Sequence, residues 1–163
     1  MFFAAPSSQF TVSNMIYAIG DIHGCLYHLE KLFDLVSPDL ENHQLVFMGD
    51  YIDRGPKSAE VVDFIINLKK RYGSENIICL MGNHERMFLD YLDGKDEMLF
   101  LMNGGVTTTA SYWGEFGDRL NRSLPPEHWD FYTRLKLYYA TDDYIFVHAG
   151  LKPGLPLADQ VED

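Results

Sequence analysis

The chain has 163 residues, 47% of them apolar, a formal net charge of −11 and two cysteines. This is enough for one sizeable core in one domain. It is too apolar for a disordered segment, too acidic for a nucleic-acid binder with a basic face and too cysteine-poor for a disulfide scaffold, so a reduced, cytoplasmic setting is expected.

Residues 1–14 carry no Lys or Arg and no long apolar core, with Ser, Pro and Asn in the middle. They read as a loose leader rather than a signal peptide. Met15 directly precedes the first strand and is a candidate natural start. No apolar run approaches the ~20 residues of a membrane span, so neither a membrane nor a nucleic acid is expected as partner.

Residues 15–19 form an apolar run ending in Gly20-Asp21, a first strand. Residues 25–36 place Leu26, Leu29, Leu32, Phe33 and Val36 at helical spacing before Ser37-Pro38. Residues 44–48 are a second strand, ending in Gly49-Asp50. Residues 57–71 repeat the helical pattern up to Gly73, and 76–81 form a third strand ending in Gly82-Asn83. This β-α-β-α-β order implies an α/β fold around a parallel sheet, and the near-continuous apolar strands fit burial on both faces, between helices. From 84 to about 135 the pattern is mostly helical, with a helix start at Pro125-Pro126. Residues 137–141 and 144–147 flank Asp142-Asp143 as a hairpin that delivers His148 from a strand end.

Four segments follow these strand ends: Gly-Asp-Ile-His-Gly at 20–24, Gly-Asp-Tyr-Ile-Asp-Arg-Gly at 49–55, Gly-Asn-His-Glu at 82–85 and His-Ala-Gly at 148–150. In an open α/β sheet the ligand crevice lies beyond the carboxyl ends of the strands. Asp21, His23, Asp50, Asn83 and His148 are the mixed oxygen and nitrogen set that a pair of divalent cations needs, and the two oxygens of Asp50 could bridge them. Such ligands suit Mn, with Fe or Zn as alternatives, better than Ca. Arg54 is a planar fork for two phosphate oxygens. His84 is a candidate general acid for a leaving alkoxide.

In this order the four segments resemble those of the PPP-type, calcineurin-like metallophosphoesterases, the superfamily of the serine/threonine protein phosphatases. The likeness is to the small bacterial and phage phosphatases and covers residues 15 to 152. It implies a β-sandwich flanked by helices over 15–163 and a dinuclear centre whose activated water attacks phosphorus in line. In the family, the positions of Asp21, His23 and Asp50 hold one metal. Those of Asp50, Asn83 and His148 hold the second, together with one further histidine. The position of Asp53 orients that of His84, while Arg54, Asn83 and His84 face the substrate. The family pattern also continues past His148 with that histidine, a second arginine and more strands, and residues 151–163 contain neither His nor Arg. The C-terminal half of the domain is therefore expected to be missing.

The resemblance implies a metal-dependent phosphomonoesterase, acting on a phosphoprotein or small phosphoester. A hydrolase of dinucleoside polyphosphates such as diadenosine tetraphosphate is the alternative. The related symmetrical enzymes usually lack an aspartate at the place of Asp53 and have Asp where this chain has Glu85. A third reading is an inactive binding or regulatory relic. His28, His43 and His128 fit no motif position and are expected not to be ligands. Cys25 and Cys79 are expected to be buried packing, and the tyrosines and phenylalanines of 112–146 core. Asn103-Gly104-Gly105 with Thr107–Thr109 resembles a segment of the bacterial phosphatases, and reads equally well as a turn followed by a helix start.

Overall fold

The computed structural model describes residues 15–114 and 122–160. The leader expected over residues 1–14 lies outside them. Strands β1 (Ile16–Ile19), β2 (Gln44–Phe47) and β3 (Ile77–Cys79) form a parallel sheet in the order β1-β2-β3. Helices α1 (Leu26–Val36) and α2 (Ser58–Tyr72) make the two crossovers. Then follow α3 (Asn83–Leu92), α4 (Glu97–Phe100), α5 (Val106–Trp113) and α6 (Pro126–Thr133), with Pro126 in the first turn of α6 where its missing N–H costs nothing. Between α4 and α5 the chain widens into a π turn over Leu101–Gly105, broken at Gly104, whose φ is 105°. The expected hairpin is present: β4 (Tyr138–Ala140) and β5 (Ile145–Val147) pair antiparallel.

Alternation along the strands divides the core. Leu45, Phe47, Ile77 and Cys79 face the helices and pack with Leu29, Val61, Ile65, Phe88, Phe100 and Tyr132. Val46, Ile78 and Leu80 point the other way, where Ile16, Met48, Tyr139 and Phe146 cover them. The expectation of a sheet between helices is thus corrected. Among the described residues the helices pack on one face, and the β4–β5 hairpin covers the other, stacking Tyr139 on Phe146 at 6.0 Å between centroids. The hairpin is anchored by a parallel bridge between Leu80 and Lys136 and by Tyr139 O–H donating to Gln44 Oε1 at 3.0 Å.

On the helical side Phe88 sits among Phe100, Tyr112 and Tyr132 at 5.2–5.7 Å, so of the tyrosines and phenylalanines of 112–146, Tyr112, Phe131 and Tyr132 serve as core, while Tyr144 is exposed. The cysteines form no disulfide. Cys79 is buried as expected. Cys25 is only half-buried, because it stands at the exposed mouth of α1 rather than inside the sheet.

Burial pushes the Cys79 thiol up to about 12, so at neutral pH it is held as an unreactive thiol. Iodoacetamide should modify Cys25 in the folded protein and Cys79 only after denaturation, as read by peptide mass spectrometry. Alkylation of Cys79 under native conditions would contradict this core.

Candidate metal centre

Each functional side chain sits on a loop or a helix start just past a strand's carboxyl end, and these segments are sewn together by backbone. The Asp50 carbonyl accepts from the N–H groups of Ile22 and His23, both at 2.9 Å, and the Tyr51 carbonyl from Gly24 at 2.8 Å. Several positions have left-handed backbone: His23 (φ 46°), Asp50 (φ 56°), Asp53 (φ 72°) and Arg54 (φ 64°). Non-glycine residues there store about 1–3 kcal/mol of strain each. Glycine is required at position 82, where a Cβ would collide with Asp50 Oδ1.

Asp50 is the centre. Its carboxylate is buried and lies 3.7 Å from His23 Nε2 through Oδ2 and 3.4 Å from His148 Nε2 through Oδ1. Asp21 Oδ2 lies 3.8 Å from His23 Nε2, and Asn83 Oδ1 is 3.1 Å from His148 Nε2. The five residues singled out as candidate ligands therefore converge, although His148 is 98 positions from Asp50 in the chain.

Proton positions argue that these groups suit cations. His23 Nδ1 lies 2.8 Å from the Ile52 carbonyl and His148 Nδ1 lies 2.9 Å from the Met48 carbonyl. A carbonyl only accepts, so each Nδ1 carries the proton and each Nε2 presents a lone pair. His23 Nε2 is buried with no hydrogen-bond partner, facing two carboxylate oxygens. His148 Nε2 and Asn83 Oδ1 are likewise both acceptors, so their short approach is not a hydrogen bond unless the ring is charged or the amide is reversed. Atoms bound about 2.0–2.2 Å from one cation stand about 3–4 Å apart, which matches these spacings. The residues present fit a metal pair bridged by Asp50.

His84 lies beside this cluster, with Nε2 4.0 Å from Asp50 Oδ2 and its ring edge-on to His23 at 4.7 Å. On distance alone it could complete a group with His23 and Asp50. Its own contacts set it apart: Nδ1 donates to buried Asp53 Oδ2 at 2.6 Å, and an Arg54 guanidinium N–H reaches Nε2 at 3.2 Å. Burial and the Arg54 charge lower its basicity, but the Asp53 bond and the Asp50 charge outweigh them and raise its pKa.

The three unassigned histidines have partners of their own. His128 is buried between Tyr112 Oη at 2.7 Å and Asp63 Oδ1 at 2.9 Å. His43 accepts from the Met15 N–H, and His28 is exposed against Tyr27.

Two residues carry more than their motif positions suggested. Glu85, fully buried, accepts from the backbone N–H groups of Asp50 and Tyr51 at 2.8 Å and of Gly82 at 3.1 Å. Burial and the nearby Asp50 charge push its carboxyl up to about 7. Thr108, on α5, contacts Asp53. The only sequence signal for Thr108 was the Asn103–Thr109 segment. Its turn-then-helix reading holds, and Gly104 also accepts from the Arg54 N–H at 3.2 Å.

The calcineurin-like phosphoesterase family model matches residues 15–162. The symmetrical bis(5'-nucleosyl)-tetraphosphatase of Nitrosospira multiformis is 32% identical over 138 residues, 85% of this chain and 44% of that protein. A Schizosaccharomyces pombe protein that carries the name of a serine/threonine-protein phosphatase is 32% identical over 157 residues, 95% of this chain and 45% of that protein. Among solved structures, a serine/threonine phosphatase from Saccharomyces cerevisiae superposes with a TM-score of 0.67 at 26% identity, covering 91% of this chain and 42% of that one. The chain spans about half the length of the curated relatives it matches.

Replacing Glu85 by Ala leaves three buried backbone donors without their acceptor, at about 1–3 kcal/mol each. Urea unfolding of Glu85→Ala should show a loss of at least one such increment, with weaker Mn(II) binding by calorimetry because the Asp50 turn loosens. Wild-type stability in this variant would remove Glu85 from that role.

Proposed function

The chain belongs to the calcineurin-like phosphoesterase family, and from that premise we propose that it is a metal-dependent phosphomonoesterase acting on phosphoserine or phosphothreonine. The family supports a hydrolase of phosphoesters whose members normally use two divalent metals. The observation that carries the finer reading is the Asp53–His84 pair, joined at 2.6 Å. An alkoxide is a poor leaving group and needs a proton delivered as it departs. A phosphate leaving from a dinucleoside polyphosphate needs one far less.

Asp21, His23 and Asp50 would hold one cation, and Asp50, Asn83 and His148 the other, with Mn as the proposed metal and Fe or Zn as alternatives. When bound, the pair polarises the phosphoryl group and makes an attacking water acidic enough to act near neutral pH. Arg54, exposed at the rim, would take two phosphate oxygens with its planar fork. Its contact with His84 Nε2 exists only while that nitrogen is unprotonated. When Nε2 carries the proton meant for the leaving oxygen, Arg54 must turn away, and the phosphate is the partner it turns to. Asp53 fixes the ring through Nδ1, so Nε2 faces the site. Asn83 and His84, opening α3, put two side chains of one turn on the same substrate.

A second reading, hydrolysis of dinucleoside polyphosphates, is favoured by the likeness to the Nitrosospira tetraphosphatase. Relative kcat/KM for a phosphoserine peptide and for diadenosine tetraphosphate, at fixed Mn(II), separates the two. A clear preference for the dinucleotide overturns our reading.

His84→Asn should lose about 10²–10⁴-fold in kcat on the phosphoserine peptide and much less on p-nitrophenyl phosphate, whose phenolate leaves unaided. Equal losses would mean that His84 positions water or phosphate instead of supplying a proton. Asp50→Asn should abolish both activities and halve the Mn(II) bound at saturation, or reduce it further. Retained turnover with full metal content would remove Asp50 from the bridge.

A further inference from the structure

Asp53 is buried completely and has two carboxylate oxygens. Oδ2 accepts from His84 Nδ1. Oδ1 accepts from the Thr108 hydroxyl, also at 2.6 Å. Thr108 is itself 0% exposed. A threonine hydroxyl has one proton to give and two lone pairs, and all three are committed here. The proton goes to Asp53 Oδ1. One lone pair takes the Asp53 backbone N–H at 2.9 Å. The other is 2.9 Å from Ser58 Oγ, whose own proton is the remaining donor. The direction of every bond is thereby fixed: Ser58 to Thr108, Thr108 to Asp53, and His84 to Asp53.

Three elements meet in this chain of bonds. Asp53 lies in the loop after β2 with left-handed backbone, Ser58 opens α2, and Thr108 stands 55 residues away on α5. One turn along, the Ala59 N–H donates to Ser111 Oγ at 2.9 Å and that hydroxyl donates to Glu60 Oε2 at 3.0 Å. The start of α2 and one face of α5 are therefore locked at two levels, and the Thr108 hydroxyl is held rigidly against the carboxylate. Without it, Asp53 could rotate and let the His84 ring swing.

We propose that Thr108 is a positioning residue for His84, holding the Asp53 carboxylate in the one orientation that aims His84 Nε2 at the leaving oxygen. This rests on the reading of His84 as the acid. A donor to an outer carboxylate typically matters about 10–100-fold in activity, and the loss should follow the leaving group rather than the phosphate. Fold stability alone would lower all substrates alike.

The test uses Thr108→Val, which removes the hydroxyl at nearly constant volume, and Thr108→Ser, which keeps it. With Mn(II) present, Thr108→Val should lose about 10–100-fold on a phosphoserine peptide and much less on p-nitrophenyl phosphate, and Thr108→Ser should recover most of the loss. Without metal, the downfield proton resonance of His84 Nδ1–H in the ¹H–¹⁵N spectrum should move upfield in Thr108→Val and return in Thr108→Ser. Should Thr108→Val not fold, Thr108→Ala deletes the same hydroxyl and carries the same expectations. An unmoved resonance, or equal losses on both substrates while His84→Asn remains selective for the peptide, overturns the Thr108 proposal alone. A His84→Asn loss that ignores the leaving group overturns the acid reading, and the Thr108 proposal with it.

Discussion

Everything at this site hangs on the turn at Asp50, and that turn hangs on Glu85. Two strand-end loops approach each other with three backbone N–H groups, those of Asp50, Tyr51 and Gly82, pointing into the same dry space. Unpaired, each would cost about 1–3 kcal/mol. One carboxylate takes all three. Glu85 can do so because it lies in the first turn of α3, one residue beyond His84, so the helix that carries two site residues also carries the brace for the third. The carboxylate is itself costly to bury beside Asp50, which is visible in the upward push on its proton affinity. Asp50, bent into left-handed backbone, is thereby fixed with one oxygen toward each histidine.

The strain in these loops is carried by the rest of the domain. His23, Asp50, Asp53 and Arg54 all occupy sparsely populated backbone, and such residues persist only where surrounding structure over-determines them. Here Phe47, Tyr51, Ile52 and Leu80 are fully buried beside them, and the Tyr51 hydroxyl donates to the Leu80 carbonyl at 2.7 Å. The core residues adjoining the motifs thus tie β2 to β3 at the height of the site. The hairpin does the same from the other face: Tyr139 and Phe146 cover Val46, Ile78 and Leu80, and β5 ends at His148, against the Met48 carbonyl.

The parts of this arrangement that were legible in the sequence are those with a short-range cause. An apolar run followed by Gly-Asp, Gly-Asn or His-Ala-Gly marks a strand end, and strand ends of a parallel sheet meet at one edge, so Asp21, His23, Asp50, Asn83 and His148 could be named together from position alone. The Asp142-Asp143 turn announced the hairpin in the same local way. Its destination did not follow, because nothing in residues 137–147 says which face of the sheet they cover; that is decided by Leu80 and Lys136 pairing and by aromatic stacking. Glu85 and Thr108 were harder still. Each acts through long-range bonds, 34 residues apart for Glu85 and Tyr51 and 55 for Thr108 and Asp53, and neither residue type is diagnostic. A glutamate in a first helical turn usually serves the helix end, and a threonine after Gly-Gly usually starts one. Burial turned both into braces.

The two candidate ligand histidines share one further device. Each gives its Nδ1 proton to a backbone carbonyl of the loop or strand that carries its neighbours, Ile52 for His23 and Met48 for His148. Backbone carbonyls have no protonation state and no rotamer, so the tautomer is set by the fold itself and not by a titrating partner. The outcome is a space in which acceptors predominate: two imidazole nitrogens, an amide oxygen and carboxylates. Water could satisfy such a set in part, by donating protons to it, but could not neutralise the carboxylates. A divalent cation does both at once. The repulsion among these acceptors is a cost of folding that a bound cation would relieve, so affinity for such a cation and strain in the loops would have one origin, and it lies in where the two Nδ1 protons are anchored.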